Sequence, residues 1–199
     1  MSELFDVISA QRACRSFGTD PVADADLELI LDAAVHAPSS ENRQPWEFVI
    51  VRDTEARDAI GALISRGWET VGRDFSSSRL SPDLLADVER GATGGIAGAP
   101  VHIVVGADTR RGLAATSAES VFPAVQNLML AAGAIGLGTA LTTIAVGFAD
   151  ELRTIVGFPD HIRPMAVVPI GHPARPLGPP RRDSFAIRSH RDRYGTPWS

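Results

Sequence analysis

From Ser117 to about Ile135 the chain carries one charged residue, Glu119, in a run that is otherwise apolar, small or neutral, and its apolar positions fall on nearly every side of a helix. Such a helix must be buried, either in the middle of a core or in a subunit interface. Gln126 and Asn127 interrupt it, and no apolar run reaches the roughly 18 residues needed to span a bilayer. Whatever else the chain forms must therefore be wrapped around this segment, and 199 residues suffice for one domain with a sizeable core.

The flanking sequence supplies short elements of both kinds. Helices are predicted from Ser2 (in N-cap position) to about Ala13, with Leu4, Phe5 and Ile8 as an apolar stripe, and from Asp24 to about His36, with Leu27, Leu29, Ile30, Leu31, Ala34 and Val35 as core residues. Further helices are predicted over Thr54 to Thr70 and Ala149 to Val156. Apolar runs bounded by turn signals predict strands at Trp46–Val51, Val101–Val105, Thr139–Ile144 and Met165–Ile170. Residues 71–98, rich in Ser, Gly, Asp and Arg, read as a mobile loop-plus-helix segment, and the Pro- and Arg-rich stretch after Gly171 as an extended tail. The strands are too few for a doubly wound sheet. The reading is a single α+β domain over 1–199, a small sheet packed by helices, with residues 172–199 as the tail.

Composition removes several function classes. The formal net charge of −5 gives no polybasic surface, so neither nucleic acid nor an anionic membrane is an expected partner. All nineteen basic residues are Arg. No lysine exists to form a Schiff base, a phosphate-loop contact or a Ser-Lys dyad, so any phosphate must be held by Arg, hydroxyls or backbone N–H groups. The single cysteine, Cys14, excludes an intramolecular disulfide and a Cys-rich metal centre. His36, His102, His161, His172 and His190 lack metal-ligand spacing, and His102, within an apolar strand, reads as a core histidine. With no secretory core at the N-terminus, the expected location is the cytoplasm.

Four segments can carry chemistry. In Gln11–Phe17 (QRACRSF), Arg12 and Arg15 stand three apart, which at the end of a helix lets them converge on one anion; the spacing equally allows two solvent-exposed arginines. In Ala37–Trp46 (APSSENRQPW), two prolines bracket short polar side chains suited to hydrogen-bonding a ligand, or simply to a helix-to-strand loop. Gly136–Ile144 (GLGTALTTI) contains G-x-G, but a helix precedes it and a strand follows. This is the reverse of a dinucleotide turn, and Gly136 reads instead as a left-handed helix stop. In Pro179–Phe185 (PPRRDSF), Arg181 and Arg182 follow two stiffening prolines.

Together these segments resemble the nitroreductase family of FMN enzymes. The family's R-R-S-[VI]-R-x-F run is similar to Gln11–Phe17, and A-P-S-x-x-N-x-Q-P-W matches Ala37–Trp46 at every fixed position. P-A-x-Q-N-L-x-L-A-A with G-L-G corresponds to Pro123–Ala132 and Gly136–Gly138, and P-x-G-x-P to Pro169–Pro173. The resemblance implies an intertwined homodimer with FMN at the subunit interface, the Ser117–Ile135 helix in the dimer core and the tail embracing the partner. It assigns the phosphate and ribityl groups to Gln11, Arg12, Ala13, Arg15 and one of Arg181 and Arg182. Pro38, Ser39, Ser40 and Asn42 approach from the other subunit, and the backbone of Leu141, Thr142, Thr143 and Ile144 lies near flavin N5. Gln11 and Ala13 stand where the family has Arg and Ser, removing one charge and one hydroxyl; some members carry an acidic residue at the position of Thr143.

The implied activity is ping-pong transfer of hydride from NADH or NADPH through flavin N5 to a nitroaromatic, quinone or similar flat acceptor. The absence of an acid/base motif suits chemistry carried by a cofactor. Two alternatives are a flavin-fragmenting, dimethylbenzimidazole-forming enzyme of the same fold and a non-catalytic flavin-sequestering or sensor protein.

Overall fold

The computed structural model describes residues 3–112 and 116–198. Its elements are α1 (Glu3–Ala10), α2 (Asp24–Val35), β1 (Trp46–Val51), α3 (Thr54–Gly67), α4 (Arg73–Ser77), α5 (Pro82–Arg90), β2 (Val101–Asp108), α6 (Ser117–Ala134), β3 (Gly138–Thr139), α7 (Ala149–Val156) and β4 (Ile162–Gly171). The four strands form one antiparallel sheet in the order β1-β2-β4-β3. This is the α+β architecture expected from the sequence.

Side-chain alternation sends the sheet into two cores. Val101, Ile103, Val105 and Ala107 of β2, with Ala166, Val168 and Ile170 of β4, pack on α2 and α6. Val104 and Val167 point the other way, onto Ile60, Leu63 and Ile64 of α3, Leu152 of α7 and Trp68. Because both faces are covered, all eight residues of β2 are buried. The long helix is indeed central. Val121, Ala124, Val125, Leu128, Met129 and Ala132 of α6 are buried against the first of these cores.

Several expectations need correction. The first helix stops at Ala10, because Ala13 is drawn into a bridge with Thr139. The expected apolar stripe of Leu4, Phe5 and Ile8 is 46–59% exposed, since α1 turns Val7 rather than the stripe toward Gly133 of α6. In α2 the buried positions are Leu27, Ile30 and Ala34, while Leu29 and Val35 face outward. The third helix ends at Gly67, but the chain stays helical through a π turn (Trp68–Gly72) and α4. Residues 71–98, expected as loop plus helix, are mostly helix, with α5 running into a second π turn at Gly91–Gly95. The strand predicted over Thr139–Ile144 shrinks to Gly138–Thr139 plus an isolated bridge from Thr142 to Val167, after which Ile144–Phe148 winds into a 3-10 helix.

Candidate functional site

Gly136 adopts φ +81°, the left-handed stop that ends α6 and turns the chain into β3. From there residues 138–142 run antiparallel to β4, paired at Gly138, Thr139 and, after a break, Thr142. Gln11–Phe17 lies outside this edge. Ala13 bridges Thr139 in parallel, Cys14 N donates to Thr139 O at 2.7 Å, and Phe17 pairs with Pro173. Gly18 N donates to His172 O and Ala174 N to Ser16 O, closing the segment on the start of the tail. Two of the predicted site segments, 120 and more residues apart in sequence, thus share one sheet edge.

Arg12 and Arg15 do not converge as helical spacing would have them. On extended backbone an odd separation sends side chains to opposite sides. Arg12 is exposed, donates from Nη1 to Gly178 O at 3.2 Å, and lines a cleft of about 320 Å³ with Gln11, Val7, Met129, Gly133 and Leu177. Gln11 Nε2 points at Met129 Sδ, 3.8 Å away. Arg15 leaves the other side and pairs with Asp87 of α5 at 2.8 Å, in a half-buried setting. Asp87 Oδ1 also accepts from Arg90 (3.2 Å) and Arg175 (3.4 Å). The sequence reading missed Asp87 entirely: it stands 72 residues from Arg15, and no local motif couples the two.

Cys14 is buried between these arginines, its Sγ donating to Ser16 O at 3.2 Å. Burial, the largest influence, pushes its thiol pKa up, away from the thiolate a reactive cysteine needs.

The Leu141–Ile144 backbone is partly spent. Thr142 exchanges both its N–H and C=O with Val167, and Ile144 N donates to Thr142 Oγ1 at 3.3 Å. Among the described residues no acceptor takes the Thr143 N–H, and both Thr143 and Leu141 face outward.

The Pro38–Asn42 loop lies elsewhere. Ser40 N donates to Ser120 Oγ in the first turn of α6 (3.2 Å), whereas Gln11 and Arg12 sit by Met129 and Gly133 in its last turns. Nine to thirteen residues of helix at 1.5 Å each put these points about 14–20 Å apart. The loop is tightly wound: Glu41, Asn42 and Gln44 all have positive φ (51°, 56° and 49°). Such conformations cost energy at non-glycine residues. Here they are held by Gln44 N donating to Ser39 Oγ and Gln44 Nε2 to Asn42 Oδ1, each at 3.0 Å. Arg181 and Arg182 are exposed in the tail, with Arg182 Nη1 turned back to the Arg181 carbonyl.

Among the described residues, no group of three His, Cys, Asp or Glu could hold a metal ion, and no helix is long and apolar enough to cross a membrane.

Comparison with known proteins bears on the fold and the family. The chain is 30% identical to an NADH dehydrogenase of Thermus thermophilus, over 86% of this chain and 87% of that protein. It is 29% identical to an iodotyrosine deiodinase of Thermotoga neapolitana, over 94% and 98%. Its fold superposes on a nitroreductase with bound FMN from Desulfitobacterium hafniense with a TM-score of 0.75 at 25% identity, covering 93% of this chain and 96% of that one. The sequence profile of the Nitroreductase family matches residues 8–172, and the chain belongs to that family.

Proposed function

We propose that this chain is an FMN-dependent oxidoreductase that draws electrons from NADH or NADPH and delivers them to a nitroaromatic, a quinone or a similar flat acceptor. The observation that carries this reading is the shared sheet edge, which places Gln11–Arg15 beside the strand leading to the open Thr143 N–H.

The donor set fits FMN. Arg12 is exposed at a cleft and Arg15 spends one N–H on Asp87, so both guanidinium groups keep donors for phosphate, ribityl or pyrimidine oxygens. Arg181 or Arg182 would add a cation from the tail. Ala13 contributes its backbone to the edge and no hydroxyl. The Thr143 N–H would face the flavin ring, with the exposed Leu141 beside it and the Ile144 backbone close by. When bound, FMN supplies the electron chemistry, accepting hydride from the nicotinamide and passing electrons to the acceptor. The chain's part is to hold the ring, place positive charge where its reduced form carries negative charge, and exclude water.

This reading requires a second copy. Pro38, Ser39, Ser40 and Asn42 lie about 14–20 Å from Gln11 and Arg12 along α6, so one chain does not bring both halves together. In a two-fold dimer with α6 antiparallel to its mate, the loop of one copy meets the arginines of the other. The exposed Leu4, Phe5 and Ile8 give that interface an apolar surface to bury, and the tail from residue 172 onward would embrace the partner.

The test is the visible spectrum of the purified protein before and after anaerobic addition of NADH, then NADPH. A flavin band bleached by either nucleotide is the expected result and identifies the donor. Recovery of the band on adding a nitroaromatic, a quinone or, following the deiodinase relative, an iodinated aromatic then ranks the acceptors. A stable flavin band that neither nucleotide bleaches would point to a sequestering or flavin-fragmenting protein, and no band after reconstitution with FMN would reject the proposal.

A further inference from the structure

Asp87 gathers three arginines from three separate parts of the chain: Arg15 from the first segment, Arg90 from its own helix and Arg175 from the start of the tail. The three contacts are unequal. Arg15 has Oδ2 to itself at 2.8 Å and both partners are only about one-fifth exposed, whereas Arg90 and Arg175 share Oδ1 at 3.2 and 3.4 Å with side chains more than 60% exposed. Surface pairs of the second kind contribute little, but a half-buried, charge-assisted bond of the first kind fixes a side chain's direction.

The backbone around Asp87 is shaped to the same residue. A Cβ at Gly91 would lie 2.9 Å from Arg15 Cδ and 3.0 Å from Arg15 Cβ, and one at Gly95 would fall on the Arg15 carbonyl oxygen. The π turn Gly91–Gly95 is therefore a groove into which Arg15 is laid along its length, with Asp87 at the far end gripping one Nη. Arg15 has five N–H donors and Asp87 occupies one, so the rest stay directed by that grip.

We propose that Asp87 is a positioning residue for the flavin: it holds Arg15, within the Gly91–Gly95 groove, in the one orientation that presents its charge to the reduced cofactor. This rests on the FMN reading given above. The α5 segment then contributes to the site through Arg15. It aims a cation that the first segment, as extended backbone with a long flexible side chain, leaves undirected.

Orientation and bare charge predict opposite signs. If Asp87 were merely a nearby negative charge, removing it would make the reduced, more negative flavin easier to form. If it aims Arg15, removing it lets the guanidinium swing into solvent, and the reduced flavin loses stabilisation. The experiment is an equilibrium titration of the FMN-loaded dimer against a redox dye of known potential, for wild type, Asp87→Ala and Asp87→Asn. We expect Asp87→Ala to lower the reduced-to-oxidised flavin ratio at a given dye poise by about tenfold, the scale of one charge-assisted hydrogen bond. Asp87→Asn keeps an acceptor oxygen for Arg15, so its ratio should stay at or above wild type. Asp87→Thr, too short to reach Arg15 but polar on the helix surface, repeats the alanine result if the alanine variant does not fold. An unchanged or raised ratio in Asp87→Ala, or a fall in Asp87→Asn as large as in Asp87→Ala, overturns the proposal. Failure of the wild type itself to bind FMN would instead overturn the flavin reading.

Discussion

Cys14 donates its backbone N–H to the Thr139 carbonyl at 2.7 Å, and this bond sets the register between the first segment and the strand after α6. The register leaves no room beside it. A Cβ on Gly138 would lie 2.8 Å from both Cβ and Sγ of Cys14 and 3.0 Å from Pro173 Cγ. Gly138→Ala should therefore push the Gln11–Phe17 segment off the sheet edge. We expect a loss of about 1–3 kcal/mol in stability, the usual cost of overpacking, measured by denaturant unfolding. FMN affinity should fall as well, measured by flavin fluorescence. Adding Cys14→Ala removes the sulfur and should recover part of both losses; strictly additive effects would show that the two residues do not meet as described.

Arg12 and Arg15 reach the proposed site from opposite sides of one extended segment, so they should act independently. Each charge-assisted bond is worth about 1.5–3 kcal/mol, and the Arg12→Ala, Arg15→Ala double variant should bind FMN weaker by several kcal/mol, near the sum of the single losses. Ultrafiltration or fluorescence titration reads this directly. Unchanged FMN affinity in the double variant would remove both residues from the phosphate and ribityl contacts.

How far this could be read from sequence depends on the range of the interactions. The apolar burial of α6 and the left-handed stop at Gly136 were legible because each is decided within a turn or two of chain: by hydrophobic spacing in one case, by a missing Cβ in the other. Errors arose where a distant partner overrode the local signal. Leu4, Phe5 and Ile8 form an apolar stripe by periodicity, yet among the described residues nothing buries them, and each stays 46–59% exposed. The Ser- and Gly-rich stretch from 71 to 98 reads as loop plus helix, but Leu85, Val88, Ala92 and Ile96 pack into the second core, and tertiary burial outweighs weak helix propensity to make it mostly helix. Helical spacing brought Arg12 and Arg15 together on paper; the Ala13–Thr139 bridge holds that backbone extended and separates them. Asp87 had no local signal at all.

His102 lies fully buried in β2 on the side of Val104, its Nε2 2.8 Å from the Ile96 carbonyl. A carbonyl only accepts, so Nε2 carries the proton; Nδ1 then has no partner among the described residues, and a second proton there would be a buried, unpaired charge. Burial is the main cause of a pKa held below the ordinary 6.5. The sign follows from linkage. The unfolded chain takes up this proton near pH 6.5 while the folded chain resists, so stability is full above that pH and is lost as the pH falls below it. The slope from this one group approaches about 1.4 kcal/mol per pH unit. Urea midpoints measured between pH 7.5 and 5 should show it. His102→Gln, whose amide can still donate to Ile96 O, should flatten the slope by one proton; an equally steep decline in the variant would assign the acid sensitivity to other groups.

The separation of Ser40 and Arg12 along α6 gives the sharpest test of the two-copy site. If each flavin is held by the arginines of one chain and the Pro38–Asn42 loop of the other, defects in the two regions should complement in trans. One variant carries Arg12→Ala and Arg15→Ala. The other carries Ser39→Ala and Ser40→Pro; the first change removes the hydroxyl that accepts from Gln44 N, the second the N–H that donates to Ser120. Each homodimer then has two damaged sites. In a mixed dimer the damage sorts unevenly: one site receives both lesions and the other receives neither. Tagging each variant differently and purifying the mixed species should recover about one FMN per dimer at wild-type affinity, while both parent homodimers bind weakly. A mixed dimer no better than its parents would mean that a single chain supplies both halves, and the roughly 14–20 Å between them along α6 would then have to be closed by a rearrangement of the loop within one subunit.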